Sequence, residues 1–416
     1  MYSVGASIKW TSETLRHIRG RTCIVSGAPE LCMRLTPTPL PPWRRAVLKV
    51  GSNLLAADGG GLTPQYAHAL ASFIASSHVA GRQVVLVSSG AVAAGRAMLR
   101  QRQITGHDLA ARQALAALGQ APMIALWQSL SDRQVAQVLL THDDLRNRRR
   151  YLNARATLRE LLALDVLPVV NENDTVAVDE LKLGDNDNLA ATVAALVDAD
   201  LLLIASDIDA LYNADPRRDP AATPIARVKA ITAEVLAMAG GSGSSVGTGG
   251  MRTKLEAAAK ASSAGIPTVL FNGRDAVTVQ ALQQGELFGT LIDAAGTRLQ
   301  ARKHWLRHAP AATGGIFVDG GAARALAKGT ASLLPGGMTG TDGEFHRGDL
   351  IEIRDSSRRI VARGISQYSV AEVRRLAGKH SREIETVLGY SYGSEVVHRD
   401  DLATLDDYVS DDETAV

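Results

Sequence analysis

Six short, mostly apolar runs recur along the first two thirds of the chain, at 46–50, 84–87, 135–140, 166–170, 201–205 and 268–271. Between them lie stretches rich in Ala and Leu with helical periodicity, at about 64–79, 91–100, 108–130, 151–164, 187–198 and 251–264. A strand that is apolar on both faces must be covered on both faces. Strands separated by helices run parallel, because each return crosses back over the sheet. The alternation therefore predicts an α/β chain: a three-layer αβα sandwich around a mainly parallel sheet. Aromatic residues make up only 4% of the chain, so aliphatic side chains must fill the core. In such sheets ligands collect beyond the carboxyl ends of the strands. The segments just after each run are thus where chemistry is expected.

Those segments are unusually polar or glycine-rich. Lys49-Val50-Gly51-Ser52-Asn53 closes the first run, and Ser88-Ser89-Gly90-Ala91 follows the second. Glycine lets backbone amides approach an anion, and lysine adds a mobile charge. Asn171-Glu172-Asn173-Asp174-Thr175 follows the run at 166–170, and Gly184-Asp185-Asn186-Asp187-Asn188 precedes the next helix. So many carboxylates and amides in one place are costly unless an ammonium, lysines or a metal balances them. Ser206-Asp207 follows the run at 201–205 and suits a nucleotide's ribose or base. Finally, Gly247-Thr248-Gly249-Gly250-Met251-Arg252-Thr253-Lys254 opens a helix with a lysine in its first turn. That end of a helix dipole is positive, so a lysine there points to a bound anion. Each segment alone also has a plain reading, as a solvated lysine, a helix cap or a flexible loop. No Walker P-loop and no HExxH zinc motif occurs, so no metal ligand is assigned.

The chain changes character near residue 298. A basic stretch at 302–308 leads into short alternating runs split by Gly and Pro turns, which predicts a small, mostly β domain at 313–396. Residues 301–312 read as a linker. Residues 1–44, with the run Thr36-Pro37-Thr38-Pro39-Leu40-Pro41-Pro42, read as a flexible extension, because proline withholds the amide that helix or sheet needs. Residues 397–416 read as an acidic tail. The main body is then 45–300. Cys23 and Cys32 are the only cysteines among 416 residues, which excludes a disulfide scaffold and a four-cysteine zinc site. With 45 basic and 43 acidic residues the net charge is +2, so no whole-chain electrostatic case exists for nucleic acid or membrane. No apolar run reaches the roughly 18 residues of a spanning helix, and no signal-like apolar segment opens the chain. A soluble cytoplasmic protein is expected.

Taken in order, the six polar segments resemble the amino acid kinase family, and 313–396 resembles a PUA domain through Asp319-Gly320-Gly321-Ala322, Ser332-Leu333-Leu334-Pro335, Gly348-Asp349 and Val361-Ala362-Arg363-Gly364. The departures are Ser52-Asn53, where the family more often has Thr-Ser, and Ser88 and Ser206 in place of threonines. The resemblance implies a catalytic domain of that fold followed by a PUA-like barrel. It implies ATP-dependent phosphorylation of the γ-carboxylate of L-glutamate, with Mg²⁺ bridging the phosphates. The related acetylglutamate, aspartate, carbamate and UMP kinases are the nearest alternatives. It further implies that Lys49 and Lys254 stabilise the transferring phosphoryl group and that Asp187 holds both lysines. Ser89, Asp174, Asn186 and Asp185 would bind glutamate. Lys49, Ser206, Asp207, Gly249, Gly250, Met251 and Lys254 would bind ATP. Proline as a feedback inhibitor, assembly into dimers or tetramers, and a link to the next enzyme of proline synthesis belong to the same expectation. A role mainly in RNA binding is the remaining alternative, and the absence of a basic stripe interleaved with aromatics in 313–396 argues against it.

Overall fold

The computed structural model describes residues 35–56, 61–99, 109–177, 186–239, 250–297, 300, 301, 303, 306, 307, 312 and 314–405. Its first body is built on strands β1 (Thr38–Pro39), β2 (Arg45–Val50), β3 (Gln83–Ser88), β4 (Val135–Leu140), β5 (Leu167–Glu172), β6 (Leu201–Ser206), β7 (Leu211–Tyr212), β8 (Pro224–Ile225), β9 (Arg227–Val228), β10 (Thr268–Asn272), β11 (Glu286–Leu287) and β12 (Gly289–Ile292). Eight of them form one sheet in the order β4-β5-β3-β2-β6-β10-β12-β9. The first six of that order run parallel, β12 pairs antiparallel to β10, and β9 runs parallel with β12.

Two cores lie on the two faces, and the strands sort their side chains between them by simple alternation. Ala46, Leu48 and Val50 of β2 join one cluster with α2 (Ala67–Val79) and α4 (Leu109–Leu130), including Phe73, Met123 and Trp127. Val47 of β2 joins the other, with Leu158 of α6 (Arg148–Ala163), Leu189 and Val193 of α7 (Asn186–Leu196), and Leu255 of α9 (Met251–Ser263). Each fully buried Leu or Phe stabilises this sandwich by about 1.5–3 kcal/mol. Every expected strand and helix is present, with ends displaced by a few residues. The notable displacement is in β5, which continues through Asn171 and Glu172, because these pair with Leu139 and Leu140 of β4.

The second body is a five-stranded mixed sheet of β13 (Gly314–Val318), β14 (Met338–Gly343), β15 (Leu350–Arg354), β16 (Ile360–Ile365) and β17 (Leu402–Thr404), ordered β14-β13-β15-β16-β17. It has its own core, with Ile316, Phe345, Ile353, Tyr368 and Val373 all fully buried or nearly so.

Three boundary expectations need correction. Residues 38–44 are docked rather than free: β1 pairs with β11, Leu40 N donates to the Gly285 carbonyl at 2.9 Å, and Trp43 is buried against Phe73. Proline can occupy an edge strand, where it gives up no ladder bond. The expected linker contains Leu306, which is fully buried against Ile365 and Ala403 of the second sheet. The expected tail supplies β17, which pairs with β16, so the second body runs to at least residue 404. Residues 1–34 and 406–416 lie outside the described residues.

Helix α3 (Ala91–Met98) crosses α4 with backbone almost touching backbone. A Cβ on Gly119 would lie 1.7 Å from the Ala91 carbonyl oxygen, and one on Gly95 would lie 2.0 Å from that of Leu115. Only glycine allows this approach, and α3 begins at the Ser89–Gly90 turn. Gly119→Ala is expected to lower the unfolding free energy by about 1–3 kcal/mol, measured by urea titration. An unchanged midpoint would show that the helices can part at no cost.

Candidate active site

Strand alternation decides where Lys49 points. It shares the face of Val47, two residues earlier, and so emerges under α7 and α9 rather than under α2 and α4. Asp187 lies in the first turn of α7 and Lys254 in the first turn of α9. The three meet: Lys49 Nζ is 2.6 Å from Asp187 Oδ1, and Lys254 Nζ is 3.1 Å from Oδ2. All three are buried, Asp187 completely. Thr253 Oγ1 also lies 3.2 Å from Asp187 Oδ2 and 2.8 Å from the Gly250 carbonyl.

Burial by itself would push the Asp187 carboxyl upward, since a charge is costly away from water. The attraction of Lys49, then that of Lys254, outweighs this and holds it below the usual carboxylate range, at about 2. One carboxylate serves two ammonium groups, which leaves the triad one positive charge in excess. A buried cluster with that imbalance is suited to an anion.

On one side of the triad is a network of amides and hydroxyls. Asn186 Nδ2 donates to Ser89 Oγ at 2.6 Å and to Asn171 Oδ1 at 2.9 Å. Ser89 is set by its neighbours: its backbone N donates to the Val50 carbonyl, and Trp127 Nε1 donates to Ser88 Oγ at 2.8 Å. Asp174 lies in the turn after β5, partly buried. That turn is held by Asn173 N donating to the Leu140 carbonyl and by Gln113 Nε2 donating to the Ala177 carbonyl. Asp185 lies outside the described residues.

On the other side are Ser206, buried at the end of β6, and Asp207, which is partly exposed. Ser206 Oγ lies 3.4 Å from Asp207 Oδ1, and Asn53 Nδ2 donates to Asp207 Oδ2 at 3.0 Å. Gly250 is the N-cap of α9, and among the described residues a Cβ there would meet nothing within 4 Å. Met251 begins the helix and packs against the α7–α9 core. Gly249 lies outside the described residues.

The helix starts themselves carry a signal. Several helices are capped by side chains: Thr141, Asn147, Thr232, Asp275, Asp319 and Ser369 each accept from a first-turn amide, Thr141 and Asp275 just beyond the carboxyl ends of β4 and β10. At the sheet's carboxyl edge, α3 and α9 begin at Gly90 and Gly250 with no side-chain cap. Their first amides are left for something else to satisfy, and an anion does this well.

Sequence reasoning assembled the triad but missed several neighbours. Thr253 was hidden by its place between two better signals, the glycines and Lys254. Asn171 was visible in its motif without a role. Asn53 closed its segment without a role, because its contact with Asp207 becomes meaningful only when β2 and β6 are set side by side.

A family model described as the amino acid kinase family matches residues 44–272, more than half of the chain. The chain belongs to the amino acid kinase family. A PUA domain model matches residues 314–388. A glutamate 5-kinase of Xanthomonas oryzae pv. oryzae (strain KACC10331 / KXO85) is 68% identical over 362 residues, covering 86% of this chain and 100% of its own length. A glutamate 5-kinase of Xylella fastidiosa (strain M12) is 64% identical over 376 residues, covering 89% of this chain and 98% of its own. Among solved structures, a UMP kinase from Bacillus anthracis aligns at 16% identity and a TM-score of 0.43, over 62% of this chain and 98% of that one. Membership in this family accounts for the sandwich and for the order of the polar segments along it.

Asp187→Asn should destabilise the protein by about 3–5 kcal/mol near neutral pH, because it strands two buried ammonium groups. The wild-type contribution is fully present above the unfolded carboxyl's value of roughly 3.9. It is lost as pH falls through the folded value of about 2. Denaturant unfolding of both proteins from pH 7 downward tests this. Equal stability at neutral pH would mean that the lysines do not depend on Asp187.

Proposed function

We propose that this chain transfers the γ-phosphoryl group of ATP to the γ-carboxylate of L-glutamate, giving L-glutamyl 5-phosphate, the first step of proline biosynthesis. The observation that carries the chemistry is the buried Lys49–Asp187–Lys254 triad with its excess positive charge. The choice of acceptor is supported by the glutamate 5-kinases that are 64–68% identical over most of the chain.

The acceptor carboxylate is already ionised at neutral pH, so it needs no general base. One of its oxygens attacks the γ-phosphorus, and the bond from that phosphorus to the β–γ bridging oxygen breaks, releasing ADP. The task left to the protein is alignment and charge stabilisation. Lys49 and Lys254 supply positive charge to the transferring group, and Asp187 fixes both ammonium groups in place. Ser89 and Asn186 present a hydroxyl and an amide to the amino acid, while Asp174 suits its ammonium group. Asp185 belongs with them in the same loop. Ser206 and Asp207, with Gly249, Gly250 and Met251 ahead of Lys254, take the nucleotide.

Mg²⁺ enters this reading with the nucleotide. Mg²⁺ commonly pairs few carboxylates with phosphate oxygens and waters. Asp187 is engaged by both lysines, and among the described residues no three His, Cys, Asp or Glu side chains gather into a cage. The ion is therefore treated as part of the Mg²⁺-ATP substrate. The kinase chemistry is assigned to the first body, onto which residues 38–44 dock. Among the described residues no helix is long and apolar enough to cross a membrane, and a cytoplasmic location fits a substrate pair found there. Inhibition by proline, assembly into dimers or tetramers, and delivery of the acyl phosphate to the next enzyme extend the same reading, supported by family resemblance.

The test is ADP release with Mg²⁺-ATP and L-glutamate, with hydroxylamine to trap the acyl phosphate. Acetylglutamate, aspartate and UMP run in parallel. A hydroxamate formed only with glutamate is expected, and turnover only with another acceptor would overturn the assignment. Lys254→Ala should cut kcat by roughly 10²–10³ while the protein stays folded, and near-normal turnover would remove Lys254 from the mechanism. Asp174→Ala should raise the KM for glutamate by about tenfold and change kcat less. An unchanged KM would show that Asp174 does not meet the amino acid.

A further inference from the structure

Asn53, Asp207 and Arg274 meet at the carboxyl ends of three adjacent strands. Asn53 belongs to α1 (Ser52–Leu55) after β2, Asp207 follows β6, and Arg274 lies in the turn between β10 and α10 (Ala276–Gln283). Arg274 Nη2 donates to the Asn53 carbonyl at 3.2 Å and lies 3.8 Å from Asp207 Oδ2, the oxygen that also accepts from Asn53 Nδ2. The guanidinium carbon sits 5.6 Å from the centre of the Tyr66 ring.

The backbone beneath is tightly fixed. Gly273 N donates to the Ser206 carbonyl at 2.8 Å, and a Cβ on Gly273 would lie 2.8 Å from Leu54 and 3.0 Å from Ala205. Arg274 N donates to Asn272 Oδ1 at 2.9 Å, which shapes the turn. A rigid turn therefore delivers an arginine to a carboxylate that is about a third exposed, as is the arginine. An ion pair at that exposure adds little to folding, so its stability does not explain it.

Its position does. Asp207 lies where the nucleotide is placed, yet a carboxylate repels phosphate and only accepts hydrogen bonds. On a nucleotide its partners are ribose hydroxyls or a base amino group. Asn53 hydrogen-bonds Oδ2, and the Arg274 guanidinium faces the same oxygen at 3.8 Å, as an ion pair without a hydrogen bond. The contact of Oδ1 with the Ser206 hydroxyl, at 3.4 Å, is long for an O–H···O bond and leaves Oδ1 able to accept a better donor.

We propose that Asn53 and Arg274 are positioning residues that hold Asp207 through Oδ2, so that Oδ1 accepts a ribose hydroxyl or base amino donor of the bound nucleotide. Arg274 also offsets the repulsion between that carboxylate and the polyphosphate. This rests on the ATP-dependent reading above and names what secures the nucleotide within it.

The experiment measures ATP binding calorimetrically on the full chain without acceptor, and then steady-state kinetics with glutamate. Arg274→Ala is expected to weaken ATP binding and raise the KM for ATP by about five- to tenfold. The KM for glutamate and kcat should shift by less than about twofold, and the unfolding midpoint should stay in place. Arg274→Lys should recover part of the loss, because it restores charge without the fork. Binding of 2′-deoxy-ATP, 3′-deoxy-ATP and GTP identifies the donor: the wild type should disfavour the nucleotide that lacks it, and Arg274→Ala and Asn53→Ala should lose that preference. ATP affinity and nucleotide preference unchanged in Arg274→Ala would overturn the positioning role. Equal wild-type affinity for all four nucleotides would overturn the role of Oδ1. Because binding is read without acceptor, normal ATP binding with no glutamate turnover would count against the acceptor assignment alone. A wild type that binds no ATP would overturn both.

Discussion

Two buried ammonium groups sharing one buried carboxylate set the terms for this structure. Lys49, Asp187 and Lys254 come from a strand and two helices far apart in sequence, and each loses its water on folding. Taking charges out of water is expensive, and packed apolar side chains of similar volume are often as stable or more so. The triad is thus weak as a source of stability and strong as a constraint. It requires α7 and α9 to lie side by side over β2, with their first turns at the same edge of the sheet. The apolar residues below it do the holding: Val47, Leu189, Val193, Leu255 and Ala258 form one continuous buried cluster. The core stabilises, and the triad draws on that stability to keep three charges buried.

The same logic runs through the helix starts. A helix start gains from a side-chain cap, and this chain supplies one at several helices, among them those that open after β4 and β10. Gly90 and Gly250 give no such cap at two other helices that open on the sheet's carboxyl edge. Gly90 has a φ of +111°, a conformation that side-chain-bearing residues rarely adopt. In both helices the first-turn amides gain no side-chain acceptor at the cap, which makes an anion a suitable partner for them.

Most of the sandwich was legible in the sequence because its signals are local. A strand apolar on both faces and a helix with a three-to-four-residue apolar period declare themselves within a short window. The triad was legible for a different reason: its members sit in motifs that resemble a known family, and the structure then brought them within 3.1 Å or less of Asp187. What stayed illegible depended on pairing across the chain. Residues 38–44 look like a free proline-rich arm until β11 offers an edge. Leu306 looks like part of a basic linker until Ile365 and Ala403 cover it. Leu402–Thr404 looks like part of an acidic tail until β16 accepts it. The polar pair Asn171 and Glu172 reads as loop, yet the ladder from β4 keeps both in the strand.

The second body shows what an independent fold costs and where it stops. Its core is closed by its own residues, yet the sheet also carries an ion network of Arg354 with Asp342 and Glu352, joined by Arg363 on Glu352. Arg363 Nη1 reaches the Arg307 carbonyl at 3.4 Å, and Arg307 Nε donates to the Thr404 carbonyl at 3.1 Å. The segment that precedes this body in sequence is therefore fastened to it by both apolar and polar contacts. Glu352, nearly buried, is balanced by two arginines, the mirror image of Asp187 between two lysines. The difference lies in the cations: the guanidinium groups here are partly exposed and bond carboxylates and a carbonyl at the sheet, whereas Lys49 and Lys254 are buried and converge on Asp187 at the first turns of α7 and α9. The same charge ratio thus stands at a partly exposed seam in one place and in a buried cluster in the other.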